Sequence, residues 1–177
     1  YCTAAAFRHG IATSFNLQAQ HGAHMTFKKI AIAATVSAAA LLSLPAMAQF
    51  AKPEEAIKYR QGALFVMGQH FGRIGAMANG KIPFDAKAAQ QNADVVASVA
   101  GLPQAGFGPG TNKGAPTKAK PGIWTEHEKF NEKWEKLQTE VVKLDAAAKT
   151  GSLENLKAAF GPTANACKSC HDDYRAR

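Results

Sequence analysis

Two cysteines and a histidine near the end of the 177-residue chain form the pattern C-x-x-C-H, as Cys167, Cys170 and His171. Two thiols at this spacing can form thioether bonds to the two vinyl groups of one haem, and the adjacent histidine then lies beneath the iron as an axial ligand. The pattern therefore predicts haem c, covalently attached, with one group per chain.

Other chemistries use a C-x-x-C pair, namely redox dithiols, structural disulfides and zinc sites. No strand-like run surrounds this pair, as a dithiol in a βαβ unit would require. A zinc site needs four ligands, and neither Cys2 nor the other histidines supply the usual spacing. A dithiol or a structural disulfide stays open as an alternative, although neither gives His171 a role.

Residues 25–48 contain the three parts of a secretory signal peptide. Lys28 and Lys29 form the positive start, residues 30–44 are apolar, and Ala-Met-Ala at 46–48 is a cleavage site. The apolar run is shorter than the ~20 residues that span a bilayer. We therefore expect no membrane span, export to the periplasm, and cleavage after Ala48.

The mature chain is then expected to be residues 49–177, which is enough for one small domain. Residues 1–24 precede the methionine of the signal peptide, and we expect them to be a non-native upstream extension. Cleavage lowers the number of Lys and Arg residues from 21 to 18 and the net charge from +8 to +5. The lysines are mixed with glutamates, which indicates a solvated surface and no nucleic-acid site.

Apolar residues after position 49 recur at alternating steps of three and four, which predicts four amphipathic helices. The predicted inward stripes are Ile57, Arg60, Leu64, Met67, Phe71 and Ile74; Ala88, Gln91, Val95, Ser98 and Leu102; Ile123, His127, Phe130, Trp134, Leu137, Val141, Leu144 and Ala148; and Leu153, Leu156, Phe160, Thr163, Cys167, Cys170 and Tyr174. Short links join the first two helices and the last two. The expected fold is all-α, an up-down antiparallel four-helix bundle with haem attached near the C-terminus of helix four.

Two segments interrupt this pattern. Residues 102–122 are rich in glycine and proline, and in them Phe107 could cover a haem edge. The lysines of this segment either dock an acidic electron-transfer partner or belong to a solvated connector; they are Lys113, Lys118 and Lys120. Pro162 lies inside the fourth helix and is expected to bend or break it before the cysteines.

The chain resembles the cytochrome c′ family of class II c-type cytochromes, above all proteobacterial members with a leucine over the distal haem face. The similar segments are residues 49–56, 58–61, 70–73, 105–110, 157–161 and 167–175. Residues 161–165 depart from the family, because a second glycine is expected there.

The resemblance implies roles for individual residues. His171 would be the sole axial ligand, which leaves the iron five-coordinate, and Leu64 would lie over the vacant position. The other implied pocket residues are Gln61, Met67 and Phe107, with Arg60 on a haem propionate and Arg175 beside the proximal imidazole. For Arg60, a guanidinium that reaches solvent at the bundle end is the alternative.

An apolar distal pocket favours NO and CO, because bound O₂ takes on negative charge and needs a hydrogen-bond donor. The expected function is reversible binding of these gases with one-electron cycling of the iron, in a protein that is not an enzyme. The resemblance also implies an unidentified redox partner and a homodimer. Off-stripe residues of the first helix would form the dimer face, namely Ala56, Ala63 and Val66.

Two other functions stay open. In an electron-transfer cytochrome, Met67 or Met77 would bind the iron as a sixth ligand, although a methionine on a helical stripe is usually a core residue. A small peroxidase would need distal acid–base groups. His70 falls off the inward stripe and His127 lies near a helix start, so both are interpreted as surface or packing residues.

Overall fold

The computed structural model describes residues 49–177, and the expectations for residues 1–24 and 25–48 lie outside this range. The four long helices are α1 (Pro53–Ala78), α2 (Ala86–Val99), α4 (His127–Lys149) and α5 (Leu153–Tyr174). Between α2 and α4 lie a 3₁₀ helix at Leu102–Phe107 and the single-turn helix α3 (Gly122–Thr125). Helices α1 and α2 pack together, as do α4 and α5, so the predicted four-helix bundle is confirmed.

Local signals explain where the long helices begin and end. Pro53 occupies the first turn of α1, where its missing N–H costs nothing. Asp85 caps α2 by accepting a hydrogen bond from Ala88 N, and Ser152 caps α5 by accepting one from Asn155 N. Gly80 and Gly151 follow α1 and α4 with a φ of +68° at each, a conformation that favours glycine.

The predicted stripes of α1, α4 and α5 are largely correct. The stripe of α1 is buried at Ile57, Arg60, Met67 and Ile74, and Leu64 and Phe71 pack against the core. The α4 stripe is buried from Phe130 onward, but His127 is exposed and Ile123 belongs to the separate helix α3. The chain turns sharply at Glu126 (φ −123°, ψ 44°), which divides the expected third helix in two.

The stripe predicted for α2 is wrong by one residue. Its buried face consists of Ala89, Asn92, Ala93 and Val96, whereas Gln91 and Ser98 are exposed. Asn92 Oδ1 accepts a hydrogen bond from His70 Nδ1 of α1 (2.8 Å), and Asn92 Nδ2 donates to Ala88 O. This tertiary contact accompanies the observed orientation of the helix.

A bend or a break was predicted at Pro162, and the break is wrong, because α5 is one continuous helix. Leu156 and Thr163, on either side of the proline, are fully buried, so packing holds both halves in register. The hydroxyl of Thr163 lies 2.9 Å from Ala159 O and 3.2 Å from Glu140 O of α4, and it ties this turn to its neighbour.

Within residues 49–177, no helix is long and apolar enough to cross a membrane.

Candidate haem site

A cavity of about 670 Å³ opens between the helices, and its volume falls in the range of ordinary ligand sites. Cys167, Cys170 and His171 of α5 all line it. Because the three residues occupy little more than one helical turn, the helix presents both thiols and the imidazole to the same space. No group of three or more His, Cys, Asp or Glu side chains in the described range is arranged to hold a metal ion by itself.

Burial shifts the pKa values of these three groups. It raises the pKa of Cys170 to about 11, against the opposing charge of Lys133. It also raises the pKa of Cys167. The pKa of His171 is lowered, first by partial burial and then by the positive charge of Arg175. All three groups are therefore held in their neutral forms at neutral pH.

The wall formed by α1 is mainly apolar. Leu64, Met67 and Phe71 line the cavity together, which follows from their spacing of three and four residues on one helical face. Met67 is 8% exposed, and Leu64 contacts both the main core and the aromatic cluster at one end of the bundle. Met77 is buried in the main core and does not line the cavity.

The aromatic cluster closes one end of the cavity. It consists of Phe107, Ile123, Phe130, Trp134 and Tyr174. Phe107 packs edge-on against Phe130, with ring centroids 5.1 Å apart, and Phe130 packs edge-on against Tyr174 at 5.5 Å. These edge-to-face contacts fix the ring positions. The end wall is built by side chains from four separate segments, the 3₁₀ helix, α3, α4 and α5.

Arg60 is the most unusual residue of the site, because it is charged and only 1% exposed. Its Nη1 lies 2.6 Å from Gly106 O and 2.9 Å from Thr111 O, and its Nη2 donates to Thr117 Oγ1 (3.1 Å). The guanidinium lies over the ring of Phe107, 4.6 Å from the centroid. Burial lowers its pKa. The alternative in which this guanidinium reaches solvent is therefore wrong.

Every hydrogen bond of Arg60 within the described residues goes to an uncharged oxygen, and no ion pair there includes it. A buried charge without an opposite charge is costly, so the site fits an anionic ligand group beside Arg60. A haem propionate has that charge. Together with the cavity volume and the two thiols, this donor set fits haem c.

Gln61 and Arg175 line the same cavity. Gln61 is exposed, and its Nε2 donates a hydrogen bond to Pro116 O (3.0 Å) in the loop between the 3₁₀ helix and α3. Arg175 is exposed, and its backbone N–H donates to His171 O (3.1 Å). All nine residues proposed from the sequence thus lie around one cavity, although their roles toward haem stay predictions.

Sequence reasoning missed two oxygen partners of Arg60, namely Thr111 and Thr117, of which Thr117 lines the cavity. They lie 51 and 57 residues away along the chain, and no local pattern joins them to it. Trp134 and Thr163 also line the cavity, and their positions on inward stripes were the available signal. The indole N–H of Trp134 is buried and has no partner among residues 49–177.

The family model described as Cytochrome C′ matches residues 55–175. The chain belongs to the cytochrome c′ family. Cytochrome c′ of Rubrivivax gelatinosus is 49% identical over 129 residues, which cover 73% of this chain and 100% of the relative. Cytochrome c′ of Alcaligenes xylosoxydans xylosoxydans is 46% identical over 129 residues, which cover 73% of this chain and 99% of the relative.

Solved structures agree with this assignment. The crystal structure of the Rubrivivax gelatinosus cytochrome c′ superposes with a TM-score of 0.71 at 49% identity, and it covers 72% of this chain and 100% of the other. A second structure is the nitric oxide complex of a leucine-to-alanine variant of cytochrome c prime from Alcaligenes xylosoxidans. It superposes with a TM-score of 0.68 at 45% identity, and the match covers 73% of this chain and 99% of the other. As a cytochrome c′, this protein carries covalently attached haem c.

Proposed function

We propose that this cytochrome c′ binds diatomic gases, NO above all and CO, in an apolar pocket, and is not an enzyme. The observation that carries the proposal is the placement of Leu64 and Met67 on the wall of the cavity that Cys167, Cys170 and His171 also line. A bound haem supplies an iron that takes up such gases reversibly and cycles between ferric and ferrous states.

The residues of α5 hold the cofactor in this proposal. Cys167 and Cys170 would hold the haem through two thioether bonds, and His171 would be the only residue of the chain to bind its iron. Arg60 neutralises a propionate, Gln61 and Phe107 border the cofactor, and Arg175 lies beside the imidazole. The uncompensated buried charge of Arg60 supports the propionate assignment.

Leu64 and Met67 set the ligand preference, because neither side chain offers a hydrogen-bond donor. Bound O₂, which takes on negative charge, is therefore not stabilised by a hydrogen bond from Leu64 or Met67. NO and CO do not need such a donor. The bulk of Leu64 slows the access of every gas. The nitric oxide complex of a leucine variant of the Alcaligenes xylosoxidans protein is further support.

The histidines support a binding function over peroxidase chemistry, which requires acid–base groups near the reacting ligand. His70 Nδ1 is paired with Asn92 Oδ1, and His127 is exposed. Neither His70 nor His127 is among the described residues that line the cavity.

We place the protein in the periplasm, because residues 25–48 have the features of a cleavable signal peptide and because haem c is attached outside the bacterial cytoplasm. It would receive electrons from a redox partner that is still to be identified, and would pair as a homodimer. N-terminal sequencing of the native protein is expected to begin at Gln49.

A low-spin electron-transfer cytochrome is the second candidate, and the position of Met67 on the cavity wall favours it. Its thioether would then serve as the sixth ligand. Met77 is excluded from this role, because it does not line the cavity.

Absorption and EPR spectra of the purified holoprotein, ferric and ferrous, with and without CO, separate the two functions. We expect a high-spin spectrum and slow binding of CO by the ferrous protein. A low-spin ferric spectrum with a methionine-to-iron charge-transfer band would instead assign Met67 as a ligand and overturn the gas-binding proposal.

A further inference from the structure

The segment between the 3₁₀ helix and α3, residues 108–121, is attached to both sides of the cavity. On one side α1 holds it, through Arg60 to Thr111 O and Thr117 Oγ1 and through Gln61 to Pro116 O. On the other side it pairs with the end of the chain, where Ala119 forms an antiparallel bridge with Arg175.

Two backbone hydrogen bonds flank that bridge. Lys120 N donates to Tyr174 O (2.9 Å), and Ala176 N donates to Lys118 O (2.8 Å). Residues 117–119 also line the cavity. The segment is therefore a strap that links the helix bearing Leu64 to the carboxyl end of the helix bearing His171.

The two attachments of the strap meet at one hydroxyl. Thr117 Oγ1 accepts from Arg60 Nη2 (3.1 Å) and from Ala119 N (3.1 Å). Ala119 pairs with Arg175, whose N–H donates to His171 O (3.1 Å). A continuous chain of hydrogen bonds and one strand pair thus runs from Arg60 to the backbone of His171.

We propose that Thr117 is a positioning residue that couples Arg60, on α1, to the backbone at His171. The coupling needs an oxygen with two free lone pairs at this position, which a hydroxyl provides and a methyl group does not. One of its two bonds comes from a charged donor, and such bonds are stronger than neutral ones. The coupling within the chain is independent of the proposed function, whereas its effect on the haem rests on it.

Three variants of the holoprotein test the coupling. Thr117→Val keeps the branched shape but loses the acceptor, and Thr117→Ser keeps the acceptor but loses the methyl group. Thr139→Val is the matched control, because Thr139 is exposed on α4 and its hydroxyl bonds only within that helix, to Glu135 O (2.9 Å). If Thr117→Val does not fold, Thr117→Ala replaces it as the variant that lacks the hydroxyl acceptor.

Hydrogen exchange, followed by mass spectrometry on peptides that cover 117–120 and 174–177, is the first readout. In Thr117→Val we expect exchange about tenfold faster in both peptides, because losing a hydrogen bond to a charged group costs enough to raise local opening by that factor. Thr117→Ser and Thr139→Val should match the wild type. Faster exchange confined to 117–120, or no change in either peptide, would overturn the coupling.

The second readout is the iron–histidine stretching band in the resonance Raman spectrum of the ferrous protein without gas. We expect its frequency to shift in Thr117→Val and to return to the wild-type value in Thr117→Ser. A band that is present and identical in all variants would refute the effect of Thr117 on His171. A wild-type protein with no such band would refute a five-coordinate iron with His171 as its sole axial ligand, while the exchange experiment would still test the coupling.

Discussion

At the scale of single residues, Arg60 combines two features that rarely occur together, a permanent charge and almost complete burial. Its position on an inward stripe was visible in the sequence, and an anionic partner was predicted from it. The carbonyl and hydroxyl oxygens that hold it could not be predicted, because they belong to the 3₁₀ helix and the loop after it, more than 45 residues away. Arg60 thus anchors the loop as well as offering its charge to the cavity.

Replacement of Arg60 by glutamine should lower the free energy of unfolding of the holoprotein by about 3 kcal/mol. The shorter amide cannot reach all of Gly106 O, Thr111 O and Thr117 Oγ1, so buried acceptors lose their donor. Urea unfolding followed by circular dichroism measures the change. Arg73→Gln, at an exposed position of the same helix, is the control and should stay within about 0.5 kcal/mol of the wild type. Equal losses in both variants would contradict the anchoring role.

Replacement of Leu64 by alanine should accelerate CO binding to the ferrous protein. Removing its branched end takes bulk from the cavity wall, and a barrier lower by about 1–2 kcal/mol corresponds to about fivefold to thirtyfold in rate. Stopped-flow mixing with CO gives the association rate. Val142→Ala, on the exposed face of α4 and away from the cavity, should leave the rate unchanged. An unaltered rate and affinity in Leu64→Ala would remove Leu64 from the distal wall.

At the scale of helices, periodicity predicted an element well wherever large apolar residues marked one face. Helix α4 shows this most clearly, with Trp134, Leu137 and Val141 all buried as expected. Helix α2 shows the limit, because its alanines and adjacent Val95 and Val96 suit either of two registers. The pair between Asn92 and His70 of α1 accompanies the observed register, and such a contact has no signal in a single sequence.

Helix α5 is the second element that the local sequence did not predict correctly, because it contains Pro162. Proline in a helix interior removes one backbone hydrogen bond and crowds the preceding turn, yet packing on both sides keeps α5 continuous. Proline is unfavourable inside a helix, but the buried contacts of Leu156 and Thr163 outweigh this local effect.

Replacement of Pro162 by alanine should therefore raise the free energy of unfolding by about 1–2 kcal/mol, because the helix gains a donor for the carbonyl of Ala158 without losing buried contacts. Pro162 itself is exposed. The measurement is urea unfolding of the holoprotein, with Asn165→Ala, exposed in the same helix, as the control. A less stable Pro162→Ala variant would show that the turn needs the proline ring.

At the scale of the whole molecule, the exposed apolar residues of α1 bear on the proposed homodimer. The face expected from the sequence was partly wrong, because Ala56 is fully buried against the interior. Phe65 and Val66 are 67% and 40% exposed, and they lie beside Ala63, which is half-buried. A symmetric dimer would bring the same patch of both protomers together and cover these side chains.

Replacement of Phe65 by glutamate should convert the dimer to a monomer in sedimentation velocity at micromolar protein, since a charge would meet its own copy across a two-fold axis. Val142→Glu is a matched control, because Val142 is also 67% exposed but lies on α4. It should remain dimeric. Phe65 also borders the cavity, so the absorption spectrum must be compared with that of the wild type to separate dissociation from damage to the pocket. A wild-type protein that sediments as a monomer would overturn the homodimer, and a dimeric Phe65→Glu would move the interface away from this patch.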